Sequence, residues 1–224
     1  MGVGDAEICV AYHVNCREFV YMQYNIIDKE SVYEEIEKRS RFISYSFKVN
    51  NEEEVREKIN KIKSIHHSAK HHVYAYVLKS YERYSDDGEP TGTAGLPILG
   101  AIKSLNLTDI LVVVVRYFGG VLLGMSGLRK MYSSGASGVL NISGIGKIEL
   151  CCELLCFCDY KNFKHVSNLI ESNGGKIKKI DYLDIISIHF YIRKELVDVF
   201  KDKFKQIIYD ENKLKILAES YQKI

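Results

Sequence analysis

The pattern of apolar and polar positions changes character several times along the chain. Residues 41–49 alternate like a strand, and Asn50 and Asn51 stand as candidate caps ahead of the acidic turn Glu52, Glu53 and Glu54. Val55, Ile59 and Ile62 then recur at helical spacing. Residues 72–78 alternate again as a strand, and 96–105 read as a second helix after a polar loop. The continuous β-branched run at 109–117 predicts a strand covered on both faces. Residues 119–127 are a glycine-rich turn, and 128–140 a third helix. Past Asn141, Ser143, Gly144 and Gly146 break the rhythm and mark a domain boundary. A strand at 147–158, a helix at 162–171, strands at 176–182 and 185–192, a helix at 194–208 and a strand at 213–221 follow. This βαββαβ order is that of a ferredoxin-like split βαβ unit. The expectation is an α+β fold of two domains, 22–143 and 144–224. Residues 1–21 show no clean periodicity and read as a start-site extension or a flexible arm.

A length of 224 residues agrees with two domains of about 100 residues each. The chain is 46% hydrophobic and 27% charged, the composition of a soluble globular protein able to close a core without staples. A net charge of +2 is too mild to imply nucleic acid by itself, so any basic face must be local. One local excess exists: between residues 101 and 147, Lys103, Arg116, Arg129, Lys130 and Lys147 face the single acid Asp109. The longest apolar run, 110–115, is too short to cross a bilayer, and residues 1–21 lack a basic stretch followed by a clean apolar core. A cytoplasmic protein without a membrane partner is expected. Among the six cysteines there is no C-x-x-C pair, and Cys152, Cys156 and Cys158 share alternate positions with Leu154. That arrangement suits buried reduced thiols better than disulfides or zinc.

Two segments carry unusual chemistry. SDDGEPTGTAGLPIL, residues 85–99, holds both prolines of the chain. Asp86, Asp87 and Glu89 have the oxygens to hold a divalent cation and equally the chemistry to cap a turn. Thr91, Gly92, Thr93, Ala94 and Gly95 bring bare amides and hydroxyls to a helix start, where either an anion or a tight small-residue cap fits. RYFGGVLLGMSGLRKMY, residues 116–132, sets Arg116 at a strand end, then Gly119, Gly120 and Gly124, then Arg129 and Lys130 at a helix start. Arginine clamps phosphate in a bidentate fork and lysine as a point charge. Gly119 and Gly124 have the Walker gap, but Met125 stands where the lysine belongs, and no GxGxxG occurs. No cofactor is expected. Tyr117 and Phe118 are candidates for base stacking or for core. His66, His67, His71 and His72 invite a metal reading, although a helix-to-strand junction scatters their imidazoles. No Ser, Cys or Thr has a sequence-placed base.

These two segments, in this order, resemble the YigZ/IMPACT family. AKHHVYAY, residues 69–76, is similar to the family's A-x-H-[NH]-C-[YW]-A segment at Ala69, His71, His72, Tyr74 and Ala75, with Val73 in place of the usual cysteine. The family's L-G-T-G-G-L is met by residues 123–128, with Met125 and Ser126 as departures. The resemblance runs from Met22 to the end of the sequence. It implies two α+β domains similar to the fourth and fifth domains of elongation factor G, and action around the ribosome or nucleic acid. In eukaryotes it implies damping of an amino-acid-starvation kinase response by binding its activator, a translation-regulating protein. Fold alone does not fix function.

The sequence points to a translation-associated binding protein that meets RNA or the ribosome more than to an enzyme. The candidate positions for RNA or an anion are His71, Asp86, Asp87, Glu89, Thr91, Thr93, Arg116, Gly119, Gly120, Gly124, Arg129 and Lys130. An enzyme acting on a small phosphorylated or acidic substrate through the loop at 85–95 is the alternative, with Asp86, Asp87, Glu89 and His71 as its acid, base or metal groups. A protein-interaction scaffold is the third possibility.

Overall fold

A computed structural model describes residues 23–223, so the extension expected at 1–21 lies outside the described residues. The chain divides into two compact units, residues 24–146 on one side and residues 147–223 with Gln23 on the other.

In the first unit the elements run β1 (Gln23–Ile27), β2 (Ser31–Glu37), β3 (Ser40–Lys48), α1 (Glu52–Ile65), β4 (His71–Val77), β5 (Glu82–Ser85), α2 (Gly95–Ser104), β6 (Ile110–Tyr117) and α3 (Gly124–Ser143). Strands pair in the order β2-β3-β6-β4-β5, with every neighbour antiparallel. The β-branched run takes the centre of this sheet, where residues 110–115 of β6 are wholly removed from solvent. Alternation sends Val112 and Val114 into a core with Ile98 and Ile102 of α2 and Met131, Tyr132 and Val139 of α3. Leu111, Val113 and Val115 point the other way, onto Val55, Ile59 and Ile62 of α1. Each such side chain contributes about 1.5–3 kcal/mol through burial.

Local chemistry fixes the helix starts. Asn51 caps α1 by accepting from the amide of Glu54 at 2.9 Å, while the Glu54 carboxylate accepts from the amide of Asn50 at 2.9 Å. Helix α3 begins at Gly124 and ends at Ser143, beyond both expected bounds. It lies so close to the sheet that a Cβ at Gly138 would stand 2.4 Å from the Tyr33 ring. Between β2 and β3 the register Glu37 to Ser40 leaves a two-residue turn, Lys38 and Arg39, both left-handed at φ 46° and 66°.

The second unit contains β7 (Ile145–Cys158), α4 (Tyr160–Ser172), β8 (Lys176–Tyr182), β9 (Ile186–Arg193), α5 (Val197–Ile208) and β10 (Leu214–Lys223). Its antiparallel order is β10-β7-β9-β8. Both helices cover one face, where Cys152, Leu154, Cys156 and Cys158 of β7 and Ile186, Ile188, Phe190 and Ile192 of β9 meet Val166, Ile170, Phe200 and Phe204. The expected helix at 194–208 opens with a 3-10 turn before α5 begins. All four described cysteines are free and buried. No described helix is long and apolar enough to cross a membrane.

Candidate nucleic-acid interface

The acidic loop is held together by its own side chains. The Asp86 carboxylate accepts the amides of Gly92 at 2.8 Å, Ala94 at 3.0 Å and Gly95 at 2.8 Å. The amides that looked ready for a phosphate at the start of α2 are therefore satisfied by an internal anion. Thr93, wholly buried, donates its hydroxyl to the Pro90 carbonyl at 2.6 Å, whereas Thr91 stays exposed. Asp87, at φ 42°, accepts the amide of His72 at 2.6 Å and offers its carbonyl to Nδ1 of His71 at 2.7 Å. The two neighbouring carboxylates thus serve different backbone donors.

Arg116 is not the open phosphate clamp that its sequence position suggests. Its residue is 5% exposed, and Nη1 donates to Oε1 of Glu89, itself 9% exposed, at 2.6 Å. Tyr132 donates its hydroxyl to the same oxygen at 2.9 Å, and Nε2 of His71 stands 3.9 Å away. Burial, reinforced by the Glu89 charge, holds the Tyr132 hydroxyl well above the ordinary tyrosine range. The guanidinium lies 5.5 Å from the ring centres of both Phe42 and Phe118, and its Nε has no hydrogen-bond partner among the described residues. Charge pairing and ring contacts close this arginine into the unit, and its role is to fix the loop that carries Glu89 against β6.

Histidines scatter as a helix-to-strand junction requires. His66 lies between two phenols, Nε2 at 2.6 Å from the Tyr45 hydroxyl and Nδ1 at 2.8 Å from that of Tyr117. Burial holds its imidazole below the ordinary range, with His72 adding to the effect. Nε2 of His72 meets the His66 carbonyl at 3.1 Å, and His67 is exposed. Among the described residues no three His, Cys, Asp or Glu side chains group as metal ligands. Of the four side chains considered for an enzyme, only those of His71 and Glu89 approach one another among the described residues, and the Glu89 carboxylate is engaged by Arg116 and Tyr132.

What remains open is the rim around this closed network. The amide of Gly119 donates to Oγ of Ser40 at 3.2 Å, and a Cβ at Gly119 would fall 2.1 Å from the carbonyl carbon of Arg39. Only glycine lets the segment after β6 seat against the β2–β3 turn. Arg129 in the first turns of α3 reaches the Gly92 carbonyl with Nε at 3.4 Å, tying the second glycine-rich segment to the acidic loop. The amide of Lys70 donates to the Arg116 carbonyl at 3.2 Å, and its ammonium stands 5.7 Å from the Phe118 ring centre. Gly120 and Gly124, at φ 82° and 72°, are exposed and let the intervening chain turn outward. One edge of the unit therefore gathers Lys38, Arg39, Lys70, Arg129 and Lys130, all exposed and none in an ion pair among the described residues. Between them stand Phe118, 44% exposed, Val121, Leu122, 82% exposed, and Met125.

Sequence reasoning found Arg129, Lys130 and Phe118 but missed Lys38, Arg39, Lys70, Val121 and Leu122. Lys-Arg lacks the glycine or asparagine that usually announces a two-residue turn, so nothing local marked that corner. Of the two aromatics offered for stacking, Phe118 faces outward, whereas Tyr117 is drawn inward by His66.

An α+β chain of two units with this sealed loop and basic rim belongs to the IMPACT family. Residues 38–140 match the Impact N-terminal domain, and residues 156–208 match a domain of unknown function, DUF1949. The chain is 31% identical over 195 residues to the IMPACT family member YvyE of Bacillus subtilis, covering 86% of this chain and 90% of that one. It is 31% identical over 193 residues to the IMPACT family member YigZ of Escherichia coli, covering 84% and 93%. A solved structure described as the crystal structure of an hypothetical protein superposes with a TM-score of 0.58 at 28% identity, covering 89% of this chain and 98% of that one.

Proposed function

We propose that this chain is a translation-associated binding protein that acts in the cytoplasm and meets RNA, on or off the ribosome, through the basic rim of its first unit. The observation that carries this reading is the set of five exposed cations with no ion pair among the described residues, Lys38, Arg39, Lys70, Arg129 and Lys130, interleaved with Phe118, Val121, Leu122 and Met125. Cations without carboxylate partners bind phosphate oxygens and release condensed counterions, while an exposed ring offers a face to an unstacked base. Glycines at 119, 120 and 124 hold these groups forward on a loop with few side chains in the way. The strand order β10-β7-β9-β8 with the element order βαββαβ supports a ferredoxin-like second domain. The likeness of the first domain to domain four of elongation factor G, which the family resemblance implies, would accord with a ribosomal site of action. Arg116, Glu89 and His71 act in this reading by holding the loops, not by touching the guest.

Fluorescence binding of structured and single-stranded RNA at two salt concentrations tests this function. Affinity falls as salt rises, and the combined change Arg129→Ala with Lys130→Ala lowers the slope of log affinity against log salt by roughly 0.7–0.9 for each phosphate no longer neutralised. Absence of any salt-sensitive binding rejects the proposal.

A further inference from the structure

The second unit carries another surface that this function does not use. Helices α4 and α5 cover the face formed by the even-numbered positions of β7 and β9. The odd-numbered positions turn to the opposite face, and neither helix of that unit packs there. On the two central strands that face presents Phe157 and Leu155 from β7 and His189 and Tyr191 from β9, all half-buried as residues of an open sheet are. In the register of the sheet Phe157 stands opposite Ser187, Leu155 opposite His189, and Glu153 opposite Tyr191. Successive rows on one face are about 6.6 Å apart, so Phe157, His189 and Tyr191 form a stepped series of flat rings across the sheet.

The outer strands supply positive charge to those rings. The Lys215 ammonium from β10 lies 5.9 Å from the Phe157 ring centre, and the Lys178 ammonium from β8 lies 5.4 Å from that of Tyr191. A bulge between Ile177 and Lys179 turns Lys178 toward Tyr191. Lys178 also meets Glu153 at 2.9 Å, but its side chain is 52% exposed. The Glu153 side chain is 18% exposed, so the pair is open on its lysine side, and that is the side from which the ammonium can also meet a phosphate.

We propose that this helix-free face is a stacking platform for single-stranded RNA, with Phe157 and Tyr191 taking bases and Lys215 and Lys178 the flanking phosphates. Charge selects the occupant, because an ammonium beside each ring matches a guest that repeats base and phosphate, and an apolar protein face offers no such match. Ser187 and His189 between the rings supply hydrogen-bonding groups for a 2′-hydroxyl, which favours RNA over DNA. The proposal does not rest on the basic rim of the first unit.

The test uses the full chain and a 4-thiouridine-labelled single-stranded RNA 12-mer. Fluorescence anisotropy measures affinity, and mass spectrometry of the photocrosslinks locates the contact. Tyr191→Leu and Phe157→Leu are each expected to weaken binding by about 5- to 100-fold, and Tyr191→Phe to retain it. Ser187→Glu, which adds a carboxylate to the face without removing any packing, is expected to weaken binding even if the leucine variants fail to fold. Crosslinks are expected in peptides spanning 153–157 and 187–193. Unchanged affinity in all three weakening variants, or crosslinks confined to residues 118–130, would overturn the platform while leaving the rim intact. Equal competition by duplex RNA or by single-stranded DNA of the same sequence would also overturn it. So would sedimentation showing a dimer that Tyr191→Leu dissociates, since the occupant would then be a second copy of this chain.

Discussion

The two sheets of this chain share antiparallel pairing but not their relation to water. In the first, α1 covers one face and α2 with α3 the other, so β6 is apolar at every position from Ile110 to Val115. In the second, α4 and α5 cover a single face, and β9 alternates Ile186, Ser187, Ile188, His189, Phe190, Tyr191 and Ile192. A strand between two layers has no outward side on which to place chemistry. The first unit therefore has its exposed polar groups at the ends of strands, on turns and loops, whereas in the second one face of the sheet is free of that unit's helices. The same contrast governs charge. Arg116 and Glu89 pair inside the first unit, whereas Lys178 and Glu153 pair at the surface of the second.

The largest expected effect comes from breaking the interior pair. Glu89→Ala leaves the Arg116 guanidinium buried without its carboxylate and Tyr132 without its acceptor, at a cost of about 3–5 kcal/mol in urea unfolding. A loss below about 1 kcal/mol would show that water reaches the arginine. Next is a paired comparison of leucines. Leu111→Ala, in the doubly covered sheet, is expected to cost about 2–5 kcal/mol, and Leu155→Ala, on the open face, less than about 1 kcal/mol, by the same measurement. Equal losses would mean that the second sheet is covered after all.

The last effect appears only at alkaline pH. Burial, with Cys158 alongside, pushes the Cys156 thiol up to about 12, and Cys151 is raised to about 11. The unfolded chain then gives up these protons first, near the ordinary thiol value of about 8.5, and folding is favoured less as pH climbs from there toward 12. Domain-resolved hydrogen exchange should show the second unit weakening from about pH 9. The first unit, whose described residues include no cysteine, should hold until its buried tyrosines matter, above about pH 10. Simultaneous decline of both units would refute the assignment.

Much of this architecture was legible in the sequence, for identifiable reasons. β6 could be read from its β-branched run, α1 from its asparagine cap and acidic first turn, and the second unit's strands and helices from a change of period. β1, β2 and β5 were not read. β2 turns Val32 and Ile36 toward solvent and Tyr33 and Glu35 toward α3, which inverts the usual signal, and β5 has only four residues. The two chemical segments were recognised, but the state of Arg116 was not, because its partner lies 27 positions away and only folding brings Glu89 to it. For the same reason Asp86 could be read as a turn cap or a cation ligand, but the amides it serves, those of Gly92, Ala94 and Gly95, were not identified.

The turn at Lys38 and Arg39 places two bulky side chains in a left-handed backbone that asparagine and glycine occupy more easily, at a penalty of roughly 1 kcal/mol each. A hairpin selected for folding alone would carry the small residues. This corner keeps its positive charge against the grain of its own geometry, and under the proposed function that strain sets recognition and stability in opposition at the same two positions.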